Sequence, residues 1–230
     1  MTESSRPTII GLIPAHDEGP RIGAVVGAAV IHLPVLVIDD GSSDDTTEVA
    51  EAAGATVLRQ RPNQGKGAAL RAGFARAISE GALAVITLDG DGQHDPAELP
   101  RFLEAEAERP VELIVGARNF GRMPLVRRLS NAAGTVLLSA SVGSWIRDNQ
   151  SGYRLVGRRL MTEMLASRED GFGFEVEMIA ICLREGWPIR WVPISTIYGN
   201  EKSHIRPLHH LREFMAVSGR ARRIVRGGRV

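Results

Sequence analysis

Short apolar runs alternate with segments of helical spacing through the first half of this 230-residue chain, and most of the runs end on polar turns. Thr8 to Ile13 is closed by Pro14, Val35 to Ile38 by Asp39-Asp40-Gly41, and Leu83 to Leu88 by Asp89-Gly90-Asp91; Thr56 to Leu58 and Leu113 to Val115 complete the series. Apolar runs this short, bounded by turn residues, read as buried strands. Between them lie helix signals: Arg21 to His32, a segment capped by Asp44 and stopped at Gly54, Gly65 to Glu80, and a start at Asp95-Pro96, where an acid precedes a first-turn proline. Parallel strands need crossovers, and helices supply them, so the alternation predicts an α/β fold with a mostly parallel sheet flanked by helices on both faces. Ligands of such sheets bind beyond the carboxyl ends of the strands. Pro14, Asp39 and Asp89 all fall there.

After Val115 the alternation weakens. Helices are expected over Leu125 to Ile146 and Glu175 to Glu185, a strand pair over Ile189 to Tyr198, and a basic helix from Leu208. This divides the chain into a catalytic-sized domain, residues 1–205, and a basic tail, residues 206–230. The formal net charge of +1 names no partner by bulk electrostatics. From Lys202 onward, however, arginines face the single acid Glu213, interspersed with Leu211, Phe214, Met215, Val217, Ile224 and Val225. That mixture predicts peripheral contact with an anionic membrane; an ordinary solvated terminal helix is the competing reading. Nucleic acid is disfavoured because the arginines do not alternate with aromatic residues, Phe214 being the one Phe, Tyr or Trp from Lys202 onward. No stretch reaches the ~18 apolar residues of a spanning helix; Gly134 to Ile146 is short and broken by serines. A start without signal-peptide layout and a lone cysteine, Cys182, point to the cytoplasm, at most peripheral to its membrane face.

The acidic strand ends carry the chemistry. Asp89 and Asp91, one residue apart on a turn after a buried run, can share a hard divalent cation, Mg²⁺ or Mn²⁺, with Gln93 adding a carbonyl oxygen. A bare D-x-D is more often a polar turn, but its place at the ligand edge reverses that preference. Asp39 could accept hydrogen bonds from a base or ribose, whereas Asp44 reads as a helix cap. Asn63-Gln64-Gly65-Lys66-Gly67 lacks the spacing of an ATPase phosphate loop, yet a glycine-rich helix start can host an anion. Cys182 and the tryptophans read as packing residues, with Trp145 able to border a lipid groove.

Ile13-Pro14-Ala15-His16-Asp17-Glu18, Val37 to Thr46, Asn63 to Gly67, Leu88 to Pro96, Val115 to Arg118 and Asp148 to Arg154 follow one another in an order that resembles family 2 glycosyltransferases of the dolichyl- or polyprenyl-phosphate mannose (or glucose) synthase type. The similarity covers Thr8 to Ile205 and implies the fold named GT-A. It further implies that Pro14, Ala15, Glu18, Asp39 and Lys66 hold a nucleotide-sugar. Asp89 and Asp91 would face metal and diphosphate with Gln93 beside them. Arg118, Arg128 and Ser130 would meet an acceptor phosphate, and Lys202 would close over the diphosphate. His16 and Asp17 depart from the family pattern, where Tyr and Asn are usual.

The acceptor is open to an independent argument. A sugar hydroxyl needs a general base. A phosphate monoester is already ionised near neutrality and needs arginines to position it. Arg118, Arg127, Arg128 and Arg154 are candidates for a lipid-phosphate acceptor, and Asp148 is the candidate base for a hydroxyl acceptor. The expected reaction is inverting transfer of mannose or glucose; a nucleotide-sugar-binding protein without turnover is the reading from another class. Were these carboxylates to point away from any cleft, or to be engaged in pairs with neighbouring cations, the whole assignment would collapse.

Overall fold

A computed structural model describes residues 8–118, 125–171, 173–195 and 207–228 of the chain. Among these residues seven strands, β1 (Ile9–Ala15), β2 (Val35–Asp40), β3 (Thr56–Gln60), β4 (Ala84–Thr87), β5 (Leu113–Arg118), β6 (Arg154–Gly157) and β7 (Ile189–Ile194), form one sheet in the order β3-β2-β1-β4-β6-β5-β7. Every neighbouring pair is parallel except those of β6, which runs against both β4 and β5. The helices are α1 (Gly19–Ala29), α2 (Thr46–Ala52), α3 (Lys66–Ser79), α4 (Leu99–Glu108), α5 (Leu125–Val142), α6 (Arg158–Met164), α7 (Gly173–Glu185) and α8 (Pro207–Val225).

Side chains alternate across each strand, so the sheet separates two apolar layers. Leu12, Leu36, Ile38, Val85, Val115 and Val156 face Phe74 of α3, Leu138 of α5, Leu160 of α6, Phe174 of α7 and Val217 of α8. Ile13, Val37, Ile86, Ile114 and Leu155 face Ile22 and Val26 of α1, Ala50 of α2 and Phe102 of α4. Burial on both faces is why the strands read as continuous apolar runs. Mostly parallel order with helices on both faces is the GT-A arrangement expected.

The second half of the chain differs in detail from the sequence reading. β6 and α6 were not anticipated. Of the strand pair expected over Ile189 to Tyr198, the described residues hold β7, paired in parallel with β5; residues 196–206 lie outside the described residues. Asp44 does cap the turn before α2, accepting from Thr46 N at 3.1 Å and Gly19 N at 3.0 Å, but the helix starts at Thr46. The basic C-terminal helix is present as α8, and Val217, Ala221 and Ile224 on it are buried in the layer shared with α7. Cys182 lies in that layer, its thiol pushed up to about 12 by burial. Trp187 and Trp191 pack against it, whereas Trp145 is exposed. Among the described residues no helix is long and apolar enough to cross a membrane.

Candidate active site

The carboxyl ends of β1, β2 and β4 and the start of α3 enclose a cavity of about 330 Å³. Pro14, Ala15, His16 and Glu18 line it from β1, Asp40 from β2, Asn63, Gly65 and Lys66 from the approach to α3, and Asp89, Gly90 and Asp91 from β4. The sequence brings these segments together through side chains that grip backbone. Asp17 N donates to Ser42 Oγ at 3.0 Å and Ser43 N returns a bond to Asp17 Oδ1 at 2.8 Å, while Glu18 N donates to Thr46 Oγ1 at 2.8 Å. Asp17 sits at φ 53°, a left-handed conformation in which Asp and Asn are several-fold enriched. The departure from Asn at this position therefore keeps the turn. Glu18 holds Arg21, with Arg21 Nε donating to Glu18 Oε2 at 2.7 Å.

Asp39 and Asp40 divide the work differently from the sequence reading. Asp39, expected at the nucleotide, is fully buried, accepts from Ser42 N at 2.8 Å and from the Thr47 hydroxyl, and faces Arg59 Nε at 3.2 Å. Burial opposes its ionisation, but these hydrogen bonds and Arg59 outweigh it and lower its pKa. Arg59 is its register partner on β3, so the pair follows from strand order. Asp40 is the acid that reaches the cavity. It accepts from Gln64 N at 2.9 Å and Gly65 N at 2.7 Å, clamping the loop that opens α3. Gly65 is needed in that loop: its φ is +92° and a Cβ there would lie 2.6 Å from the Asp170 carbonyl oxygen.

At the end of β4, Asp89 and Asp91 both face the cavity. Lys66 Nζ donates to Asp89 Oδ1 at 2.6 Å and stands 3.1 Å from Glu175 Oε1 on α7. Burial works against the charges, yet Lys66 brings Asp89 down to about 2, and Glu175 and Asp89 raise Lys66 above the ordinary lysine range. His94, buried and with its pKa lowered by burial, accepts from Asp89 N at 3.1 Å and so fixes the turn as a neutral imidazole. The expectation of a ready ligand set is thus corrected in part. Asp89 is matched by a lysine, Gln93 turns its amide nitrogen to Asp91 Oδ2 at 2.7 Å, and no cluster of three metal-binding side chains occurs among the described residues. Among the described residues Asp91 accepts only from Gln93 and pairs with no cation. Its open carboxylate, beside Asp89 on an oxygen-rich rim, fits a hard cation that completes its shell elsewhere.

Across the sheet, at the end of β5, Asp148 grips Arg118. Arg118 Nε donates to Asp148 Oδ2 at 2.7 Å and Arg118 Nη2 to Oδ1 at 2.9 Å, a bidentate pair, with Arg118 N (3.2 Å) and Gln150 N (3.0 Å) completing the carboxylate's bonds. Asp148 is 1% exposed. Arg118 Nη1 has no hydrogen-bond partner among the described residues, and the guanidinium is near enough to help hold Asp89 ionised. Arg128 is exposed on α5; the side chains of Arg127 and Ser130 and all of Lys202 lie outside the described residues. Arg154 is corrected outright. It is fully buried and donates to the carbonyl oxygens of Ser151, Asn149 and Glu175, so it builds the loop before β6 and cannot reach an acceptor. Sequence reasoning missed Asp40, His94 and Glu175. Two acids in the apolar stretch that opens α7, Glu175 and Glu177, were the available signal for the last.

Residues 12–164 match the family model described as glycosyl transferase family 2. The chain belongs to this family. It is therefore a glycosyltransferase. It is 31% identical over 204 residues to an undecaprenyl-phosphate mannosyltransferase of Micrococcus luteus, covering 82% of this chain and 83% of the relative. It is 27% identical over 208 residues to a polyprenol monophosphomannose synthase of Mycolicibacterium smegmatis, covering 83% and 78%. Among solved structures, glucosyl-3-phosphoglycerate synthase of Mycobacterium tuberculosis, in complex with Mn²⁺, uridine diphosphate and phosphoglyceric acid, shares the fold with a TM-score of 0.73 at 22% identity, over 94% of this chain and 78% of that one.

Proposed function

We propose that this glycosyltransferase moves mannose or glucose, with inversion, from a nucleotide diphosphate sugar to a polyprenyl phosphate. The observation that carries the reading is the Arg118–Asp148 pair. Asp148 is buried and bound through both oxygens to a guanidinium, so it is poorly suited to take a proton from an acceptor hydroxyl. Arg118, held in one orientation with Nη1 open, is suited to a phosphate that needs no base. The names of the relatives in Micrococcus and Mycolicibacterium support the same acceptor class.

In this reading the donor's nucleotide lies in the cavity between the Pro14–Glu18 turn and Asp40, and its diphosphate lies toward Asp91. A Mg²⁺ or Mn²⁺ ion, held by Asp91 with Asp89, would neutralise the leaving diphosphate. An acceptor phosphate oxygen, oriented by Arg118 and the exposed Arg128, attacks the anomeric carbon. The bond from that carbon to the diphosphate breaks, and its electron pair leaves with the nucleoside diphosphate. Lys66 adds positive charge where the leaving group develops negative charge, with Lys202 and Ser130 proposed to close on the two phosphates. Residues 1–205 would be the catalytic domain. The tail, which exposes Met215, Arg222 and Arg223 on α8 and Arg226 just beyond it, would rest on the cytoplasmic face of an anionic membrane.

The test is transfer from GDP-mannose and UDP-glucose, with Mn²⁺, to a short polyprenyl phosphate or to the matching polyprenol, read by mass spectrometry. Transfer to the phosphate alone is expected. Transfer to the alcohol and not the phosphate would overturn the acceptor assignment.

A further inference from the structure

One lysine at the rim of the cavity is shared between two carboxylates on different elements. Lys66 Nζ lies 2.6 Å from Asp89 Oδ1 and 3.1 Å from Glu175 Oε1, a difference that a small swing of the side chain reverses. The backbone beneath it is fixed. Gly65 N is bound to Asp40 and Gly67 N donates to the Asp170 carbonyl at 2.9 Å, so movement is confined to the side chain. Room for it is kept by Gly152, where a Cβ would lie 3.0 Å from both Lys66 Nζ and Asp89 Oδ2.

Glu175 is the unexpected member. Its side chain is 7% exposed, its main-chain carbonyl accepts from Arg154, and its Oε2 is enclosed with no hydrogen-bond partner among the described residues. Buried polar atoms are satisfied in the great majority of cases, and each exception calls for an explanation. A second acceptor site for the same ammonium supplies one. Without it, Lys66 would have Asp89 as its sole anion among the described residues and would compete directly with any cation for that carboxylate.

We propose that Glu175 is a positioning residue that acts through Lys66. Lys66 holds the cation's place at Asp89 while the site is metal-free, and Glu175 receives the ammonium when a divalent ion binds there. The lysine then remains in the cleft beside the diphosphate instead of opposing metal binding. This inference rests on the reading that Asp89 and Asp91 hold a metal ion.

The experiment is titration of purified full-length protein with Mn²⁺ alone, free Mn²⁺ being read by electron paramagnetic resonance and folding by circular dichroism. Removing a partner of a metal ligand changes affinity about ten- to a hundred-fold. Glu175→Gln leaves Lys66 with Asp89 alone and weakens Mn²⁺ binding by about ten-fold on that scale, while Lys66→Met removes the competitor and tightens it by about ten-fold. In the Lys66→Met background, Glu175→Gln changes affinity by no more than about two-fold, because its effect passes through the lysine. An equal loss in both backgrounds overturns the proposal. So does unchanged or weaker binding by Lys66→Met, an arm that decides the matter even if Glu175→Gln does not fold. A wild-type protein that binds no Mn²⁺ removes the metal reading itself, a result separate from either.

Discussion

Replacing Asp148 by Asn separates the two roles this residue could have, because each predicts a different pattern of loss. The carboxylate accepts from Arg118 N and Nε through Oδ2 and from Arg118 Nη2 and Gln150 N through Oδ1. An Asn with its oxygen toward Gln150 turns an NH₂ toward two donors, so two hydrogen bonds are lost and a guanidinium loses its counter-charge. Breaking a buried ion pair from one side costs about 3–5 kcal/mol. Arg118 keeps 17% of its side chain exposed and can turn partly to water, so the lower end, about 3 kcal/mol, is expected. For a chain of this size each kcal/mol lowers the melting temperature by roughly 2–4 °C, giving a fall of about 6–12 °C in a calorimetric scan. The surviving enzyme should show a raised KM for the acceptor, since Arg118 is no longer held. Arg118→Met should cost less in the Asp148→Asn background than in the wild type. A variant that melts with the wild type but loses several orders of magnitude in kcat would refute the reasoning and make Asp148 a base.

Two further outcomes follow from the acids of β2 and β4. Asp40→Ala strands the N–H groups of Gln64 and Gly65, an expected cost of about 1–3 kcal/mol, and raises the donor KM more than it lowers kcat; initial-rate kinetics at varied donor would check this. Asp89 is held at about 2 against an ordinary 3.8. A depressed carboxylate stabilises the fold above its unfolded pKa, and that contribution disappears as pH falls through about 2. Asp89 therefore does not titrate in the working range, and a limb in kcat/KM near pH 6 is expected from the acceptor monoester, whose second pKa is about 6. A limb near pH 4 and none near 6 would point to a protein carboxylate and a different acceptor.

The first half of the fold was legible because both faces of its sheet are covered, so strands appear as unbroken apolar runs and their ends as abrupt polar turns. The same contrast located the Asp89–Asp91 turn and the Pro14–Glu18 turn at the cavity. It could not rank Asp39 against Asp40. Both lie buried at the end of β2, and only the neighbouring strand, which sets Arg59 beside Asp39, decides which acid is left for the cleft. β6 was hidden for a different reason. It is four residues long and opens with an arginine buried among carbonyl oxygens, the reverse of a strand's usual signature. Glu175 stood out as an acid in an apolar stretch, but its pairing was out of reach because its partner Lys66 stands more than a hundred residues away in the chain, and only tertiary packing joins them.

The reversed strand β6 also determines how the molecule holds together. β4 and β5 do not pair with each other; each is bonded to β6. Within the sheet, the β1–β4 portion that bears the carboxylates and the β5–β7 portion that bears Arg118 are therefore joined through a single central ribbon of four residues, entered by the loop that carries Asp148. Neither portion can loosen along that seam without exposing the other's edge, so the two sides of the cleft belong to one cooperative unit and resist being separated into interchangeable modules.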